Sequence, residues 1–277
     1  MRSRTRAASV RPPRKRRQIP YWLLAAILLA LLAIWTIVVN GDYAVIFRAL
    51  RQGVLVTLWV SVVSFLLAVV LGLAIALARV SRFRVLREAA TFYIEIVRGI
   101  PVLVLLFYIA FVGAPQLVLL WNWFFEPLIE PGWLPAANVR DFDMAWRAVA
   151  ALAISYAAFV AEIFRAGIES VPRGQVEAAR SLGLRPYRIY RHVILPQALR
   201  NAVPPLGNDL VALIKDSALV SALGVQDITQ LGKVYSSSTF LFFETYNVVA
   251  FLYLVMTVGL SLIVRGLESR LKKSGRH

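Results

Sequence analysis

Long apolar stretches separated by short polar segments dominate this chain of 277 residues. A membrane-spanning helix needs about 20 mostly apolar residues, and six segments of the sequence approach or exceed that length. They are residues 21–39, 54–78, 89–112, 145–164, 198–223 and 246–264. The pattern predicts an all-α, polytopic membrane protein with about six transmembrane helices.

The first segment, 21–39, contains no charged residue and follows the basic stretch RPPRKRRQIP. A cleaved signal peptide would have an apolar region of about 7–15 residues followed by a small-residue cleavage site. This run is longer and ends in Val39-Asn40-Gly41, which favours an uncleaved transmembrane anchor. Residues 1–20 are then expected to form a basic, disordered cytoplasmic tail near anionic lipid.

The fifth segment, 198–223, is the most polar of the six and contains the Pro204-Pro205 pair. Polar groups and helix breaks at membrane depth are tolerated where they line a cavity or are buried in protein. We therefore expect the translocation path to run along this segment; the alternative is that its polar residues lie at the outer water interface. The candidate path residues are Asn208, Asp209, Lys215, Asp216 and Ser217.

Two acid–base pairs with a spacing of three residues lie within other segments. Glu95 and Arg98 fall in the third segment, and Glu162 and Arg165 fall at the inner end of the fourth. Residues three apart face each other on a helix, and ionisable residues inside a membrane are usually paired or functional. We interpret both as structural ion pairs near the cytoplasmic boundary.

Basic residues are distributed unevenly between the two sides of the predicted membrane. The chain has 31 Lys and Arg against 15 Asp and Glu, a net charge of +16 that would suggest nucleic-acid binding in a soluble protein. With the N-terminus inside, 24 basic residues fall in cytoplasmic segments and 5 in external ones. This asymmetry predicts that both termini are cytoplasmic, and it explains the charge without a nucleic-acid partner.

Residues 113–144 are predicted to form an external loop that lies partly on the membrane surface. The stretch contains four prolines, which break helices, and three tryptophans, which favour the membrane interface. Asp141 and Asp143 give its end a negative character.

Catalytic chemistry finds little support in the sequence. The chain has no cysteine and two histidines, His192 and His277, which disfavours a thiol nucleophile or a metal centre. The P-loop pattern G-x-x-x-x-G-K-[ST] does not occur. We predict no catalytic residues, no metal site and no cofactor bound by this chain.

The cytoplasmic stretch 165–200 predicts a helix–turn–helix. Residues 174–182 have helical spacing, and Gly183 stands where a C-terminal cap with positive φ is expected. Pro186 suits the first turn of a second helix, and Pro196 is expected to kink the chain before the next span.

Six residues of this stretch form a spaced motif: Glu177, Ala178, Ala179, Gly183, Leu195 and Pro196. The motif resembles the EAA loop of binding-protein-dependent ABC importer permeases, with Val193 where that pattern has Ile. Four surrounding segments are similar to the polar amino acid subfamily, and the resemblance covers about residues 50–268. They are IEIVRGIPVLVLLF (94–107), VAEIFRAGIESVPRGQ (160–175), ILPQALRNAVPPLGN (194–208) and KDSALVSALGV (215–225).

The resemblance implies a type I ABC importer domain over 50–268, with a five-helix core, to which segment 21–39 adds one N-terminal span and 269–277 a cytoplasmic tail. It implies that the motif residues dock on separate ABC ATPase subunits, which bind ATP and Mg²⁺. Further implied partners are a second permease chain, identical or different, and an extracytoplasmic solute-binding protein. The implied substrate is a polar amino acid and the implied location is a prokaryotic inner membrane.

Two other functions remain open at this point. An ion-coupled secondary transporter would need acidic or histidine relays in several spans and inverted repeats, and neither is evident in the sequence. An importer of the same ABC class that carries another small polar solute would share every feature of the loop.

Overall fold

The computed structural model describes residues 21–274 as a bundle of α-helices, and the predicted tail 1–20 lies outside the described residues. Two π-helical turns, Ile109–Gly113 and Tyr190–Ile194, and two 3-10 helices, Val139–Asp141 and Ser217–Leu223, connect the helices. The helices are α1 (Tyr21–Val39), α2 (Gly41–Arg79), α3 (Arg84–Gly99), α4 (Val102–Tyr108), α5 (Ala114–Phe124), α6 (Glu126–Ile129), α7 (Met144–Glu169), α8 (Arg173–Ser181), α9 (Pro186–Ile189), α10 (Leu195–Asp216), α11 (Ile228–Thr239) and α12 (Phe242–Ser274).

Four helical stretches in the described part of the chain are long and apolar enough to cross a membrane: Gly41–Arg79, Val102–Phe124, Met144–Glu169 and Phe242–Ser269. Within α1, Ile27–Val39 is a shorter apolar helix. The polar α10 is not among the four, so the predicted number of six requires both α1 and α10 to be counted as spans. The all-α, multi-pass membrane architecture is confirmed.

The predicted third segment, 89–112, is not one helix. The chain is extended at Ile100, with φ −105° and ψ 134°, and α4 starts only after Pro101. Proline disfavours helical backbone in the residue before it, which explains the break. The apolar span is instead Val102–Phe124, so it takes in the first part of the stretch predicted as an external loop.

Proline does not end the helix at the two positions that follow a π-helical turn. The turn Ile109–Gly113 comes shortly before Pro115, and the turn Tyr190–Ile194 comes shortly before Pro196. Such turns bend a helix without ending it. The chain therefore stays helical from 186 to 216.

The predicted tail 269–277 begins as part of α12, which extends to Ser274.

Helix α7 lies at the centre of the bundle. Of its apolar span 72% is buried, against 22–33% in the other three spans. Small residues let neighbouring helices approach it: a Cβ atom added at Gly72 of α2 would lie 2.6 Å from Val160 of α7. Near the C-terminal end of α7, a Cβ added at Gly167 would lie 2.8 Å from the carbonyl oxygen of Ala198 in α10. The packing thus holds α2 and α10 directly against α7.

Candidate translocation cavity and cytoplasmic loop

The loop 165–200 forms the predicted helix–turn–helix, and its turn is closed by backbone hydrogen bonds. After α8, Gly183 has φ 73°, and its N–H donates to Arg180 O at 2.9 Å. The N–H of Leu184 donates to Ala179 O at 3.2 Å. This pair of bonds is the Schellman motif, which requires the left-handed conformation that glycine adopts freely. The predicted positive φ at Gly183 is confirmed.

The motif residues of the loop divide into outward-facing and inward-facing positions. Glu177 and Ala178 are exposed on α8, whereas Ala179 is 5% exposed and packs inside the loop. Pro196 is exposed and Leu195 is half-buried at the start of α10. Glu177 and Ala178 are therefore open to solvent on α8, whereas Ala179 contributes to the packing of the loop itself.

A cavity of about 380 Å³ lies between the end of α3, the second half of α7 and the middle of α10. Its charged lining residues come from three different helices: Arg98, Glu162 and Asp209. Its other lining residues are Phe159, Ile163, Ala166, Gly167, Ser170, Asn201 and Pro205.

Glu162 is neutralised by two arginines. It forms a salt bridge with Arg165, as its spacing of three residues predicts, and a second with Arg79 at the end of α2, at 2.5 Å. Arg165 also pairs with Glu169. The Glu162 carboxylate is therefore committed to structural contacts, although it lines the cavity.

The second predicted ion pair is not formed. In the described part of the chain Glu95 has no salt bridge to Arg98, and the guanidinium carbon of Arg98 lies 5.6 Å from the centroid of the Phe159 ring. Arg98 lies in the last turn of α3, where the chain breaks at Ile100, and its side chain turns towards α7. Arg98 thus contributes a positive charge to the cavity.

The candidate path residues of the fifth segment have different surroundings. Asp209 lines the cavity, and its Oδ2 atom is buried without a hydrogen-bond partner among the described residues. The Asp216 carboxylate accepts a hydrogen bond from Tyr156 of α7 at 2.7 Å. Ser217 is buried and donates to a backbone carbonyl, whereas Asn208 and Lys215 are exposed. Asp209 is therefore the one member of this set that lines the cavity.

Three further residues either line the cavity or bond to the acidic residues described above, and the sequence gives no local signal for two of them. Arg79 and Tyr156 find their carboxylate partners 83 and 60 residues away along the chain. Asn201 lines the cavity and lies four residues before Pro205 and eight before Asp209, so helical spacing alone could have grouped it with them.

Comparison with known proteins agrees with the loop and the fold. A family described as "Binding-protein-dependent transport system inner membrane component" matches residues 68–273. The probable amino-acid permease protein YxeN of Bacillus subtilis is 36% identical over 83% of this chain and 94% of its own length. The glutamine transport system permease protein GlnP of Escherichia coli is 34% identical, over 83% of this chain and 98% of its own.

Chains of solved ABC transporters have the same fold as this chain. The crystal structure of an amino acid ABC transporter with histidines has 36% identity and a TM-score of 0.68, covering 83% of this chain and 95% of that chain. A methionine ABC transporter, MetNI, has the same fold at 23% identity, with a TM-score of 0.60, over 81% of this chain and 96% of its own. The resemblance seen in the EAA loop is confirmed: this chain belongs to the family of binding-protein-dependent transport system inner membrane components.

Proposed function

We propose that this chain is the permease subunit through which an ABC importer moves polar amino acids across the inner membrane, and that the path passes through the cavity beside Asp209. The observation that carries the proposal is a carboxylate oxygen of Asp209 that is buried without a partner in the described chain, inside a cavity that also contains a guanidinium group. Relatives named as amino-acid and glutamine permeases support the substrate class.

The charges of the cavity suit the head group of an amino acid. Because Arg79 and Arg165 neutralise Glu162, Asp209 is the free carboxylate and Arg98 the free cation among the charged lining residues. A guanidinium group binds a carboxylate well, and a carboxylate attracts an ammonium group. Arg98 would then receive the α-carboxylate of the substrate and Asp209 its α-ammonium group.

The energy for transport would come from separate ATPase subunits. Glu177 and Ala178 lie exposed beside the Gly183 turn, and we assign them to the docking surface for such a subunit. ATP and Mg²⁺ would bind to the ATPase subunit, so this chain would be non-catalytic. A second permease chain and an extracytoplasmic solute-binding protein complete the proposed importer, with both termini of this chain in the cytoplasm.

Reconstitution with the ATPase and solute-binding protein tests this function. The measurement is ATP-dependent uptake of radiolabelled glutamine in the presence of unlabelled amino acids or sugars. We expect unlabelled amino acids to inhibit this uptake and sugars to leave it unchanged. Uptake should fall about tenfold or more in Asp209→Asn, the size expected when a hydrogen bond to a charged group is lost. Asp42→Asn, an exposed residue in the first turn of α2, is the matched control.

Two results would contradict the proposal. Competition by sugars but not by amino acids would remove the substrate class. Uptake by Asp209→Asn at the level of Asp42→Asn would place the path elsewhere.

A further inference from the structure

One ridge of α10 runs from the cytoplasmic loop to the cavity. Gln197, Asn201, Pro205 and Asp209 are spaced four residues apart, which places them along one inclined row of the helix. With a rise of 1.5 Å per residue, the row spans about 18 Å. Its first member contacts the loop, and its last three line the cavity.

Side-chain hydrogen bonds tie the lower half of this ridge to the neighbouring elements. The Gln197 amide donates to Gln175 Oε1 in α8 at 2.7 Å. The Asn201 amide donates at 2.8 Å to the hydroxyl of Ser170, the residue that caps the C-terminal end of α7. The loop, the end of α7 and the start of α10 are therefore connected by two hydrogen bonds within one helical turn of α10.

Backbone contact reinforces these ties. Gly167 of α7 lies so close to α10 that an added Cβ would be 2.8 Å from the carbonyl oxygen of Ala198 and 3.5 Å from the Cβ of Ala202. Close-packed interfaces of this kind transmit displacements and do not absorb them. Movement of either helix end must move the other.

The helix itself is weak between the loop and Asp209. Pro204 and Pro205 lie inside α10, and each removes the N–H that would bond to the carbonyl four residues earlier. The carbonyls of Arg200 and Asn201 thus lose their partners in the helical ladder. Because the backbone ladder is interrupted there, side-chain ties to α7 are needed to keep this part of α10 in register.

We propose that Asn201, with Ser170 as its partner, is a positioning residue that couples the cytoplasmic loop to the transport cavity. The Asn201–Ser170 hydrogen bond makes the loop, the end of α7 and the proline-weakened part of α10 move as one body. A displacement of the loop by the ATPase then reaches Asp209. This inference rests on the proposed function for the ATPase that docks on the loop and for the role of the cavity, and its test does not use uptake.

Nucleotide-dependent labelling of a cavity cysteine in the permease–ATPase complex provides that test. The chain contains no cysteine, and Ala166 is an exposed lining residue of the cavity, so Ala166→Cys gives a single reporter. Its rate of modification by a maleimide is measured without nucleotide and with ATP plus vanadate. In the Ala166→Cys background we expect the two rates to differ.

The expected result is that Asn201→Leu reduces the ratio of the two rates by about fivefold, the size expected for one lost neutral hydrogen bond. Ser170→Ala should reduce the ratio by the same factor, and the double variant should show no further reduction. Ser170→Thr keeps the hydroxyl and should therefore keep the ratio of the parent. Asn247→Leu makes the same substitution at the other end of the bundle, where Asn247 bonds to Tyr43, and should leave the ratio unchanged. Retention of the ATPase subunit on purification should be equal in all variants.

An unchanged ratio in Asn201→Leu, or additive losses in the double variant, would overturn the coupling role of this hydrogen bond. Absence of any nucleotide response in Ala166→Cys alone would also overturn it, since the loop would then not move the cavity. Uptake by the parent complex tests the proposed function separately, so failure of one is distinguishable from failure of the other.

Discussion

Arg79 donates a hydrogen bond to Glu162 across the boundary between α2 and α7, with an Nη1–Oε2 distance of 2.5 Å. The same carboxylate pairs with Arg165, so one negative charge holds two cations beside the cavity. Side chains in this cluster are 22–27% exposed, which places them in an environment less screened than the surface. The arrangement fixes the last residue of α2 against the second half of α7.

Glu162→Gln is predicted to destabilise the permease. The substitution keeps the shape of the side chain but leaves the guanidinium groups of Arg79 and Arg165 without their shared counter-charge. We expect the free energy of unfolding to fall by about 2 kcal/mol, less than for a fully buried pair because the site is partly exposed. The loss of stability is measured by thermal unfolding of the detergent-solubilised protein, with size-exclusion chromatography as the readout of the folded fraction.

An exposed ion pair provides the control for this prediction. Arg84 and Glu88 are 4.0 Å apart with side chains 86% and 62% exposed, and such pairs contribute between about 0 and 1 kcal/mol. Glu88→Gln should therefore leave the unfolding temperature nearly unchanged. An equal shift in Glu162→Gln and Glu88→Gln would show that the cluster at Glu162 does not stabilise the fold.

Tyr156→Phe is predicted to loosen the contact between α7 and α10. Tyr156 is 4% exposed and its hydroxyl donates to Asp216 at 2.7 Å, so the variant leaves that carboxylate without its donor. A hydrogen bond to a charged group is worth about 2 kcal/mol, and we expect a loss of that size in unfolding by SDS. Tyr108→Phe, whose ring is 61% exposed, should cost little. Similar stability of the two variants would contradict a stabilising role for this bond.

The sequence predicts contacts that are local and misses those made by tertiary packing. Glu162 and Arg165 are three residues apart, and the pairing follows from helix geometry alone. Arg79 reaches the same carboxylate from 83 residues away, and only the packing of α2 on α7 brings it there. The Glu95–Arg98 pair has the same spacing yet does not form, because the helix ends at Gly99 and Arg98 turns to Phe159.

Prolines show the same limit for secondary structure. Pro101 ends a helix, whereas Pro115, Pro196 and the Pro204-Pro205 pair lie within helical stretches. Proline thus ends a helix at one position and lies within a helix at others. The difference depends on π-helical turns and on neighbouring helices that hold the segment in place. Gly183 was predictable because a left-handed residue after a helix is a property of the local backbone.

The orientation of the chain can be tested with single cysteines in this cysteine-free sequence. Ala136 is exposed in the segment before α7 that is predicted to be external, and Ser181 is exposed at the end of α8. An impermeant thiol reagent on intact cells should label Ala136→Cys, and should label Ser181→Cys and Ser3→Cys only after the membrane is permeabilised. The reason is the concentration of basic residues on the side that carries the loop and both termini. Labelling of Ser181→Cys on intact cells would reverse the proposed topology.

Gly183→Val is predicted to weaken the association with the ATPase subunit while the permease still inserts into the membrane. Space is not the obstacle, since a Cβ added at Gly183 would have no neighbour within 4 Å. The obstacle is φ 73°, a conformation that strains a β-branched residue by roughly 1–3 kcal/mol. Relief of this strain would open the Schellman turn and move Glu177 and Ala178, which face outward from α8.

Gly174→Val is the matched control for this last prediction. Gly174 lies in the same loop and also has no neighbour within 4 Å of an added Cβ, but it does not have a positive φ. Both variants add the same side chain to an exposed position of α8 or its turn, and they differ in backbone strain. The measurement is co-purification of the ATPase subunit, normalised to permease abundance in the membrane. It should fall about fivefold or more in Gly183→Val, as about 1 kcal/mol of strain implies. It should change little in Gly174→Val. Equal retention in both variants would show that the left-handed turn does not position the docking surface.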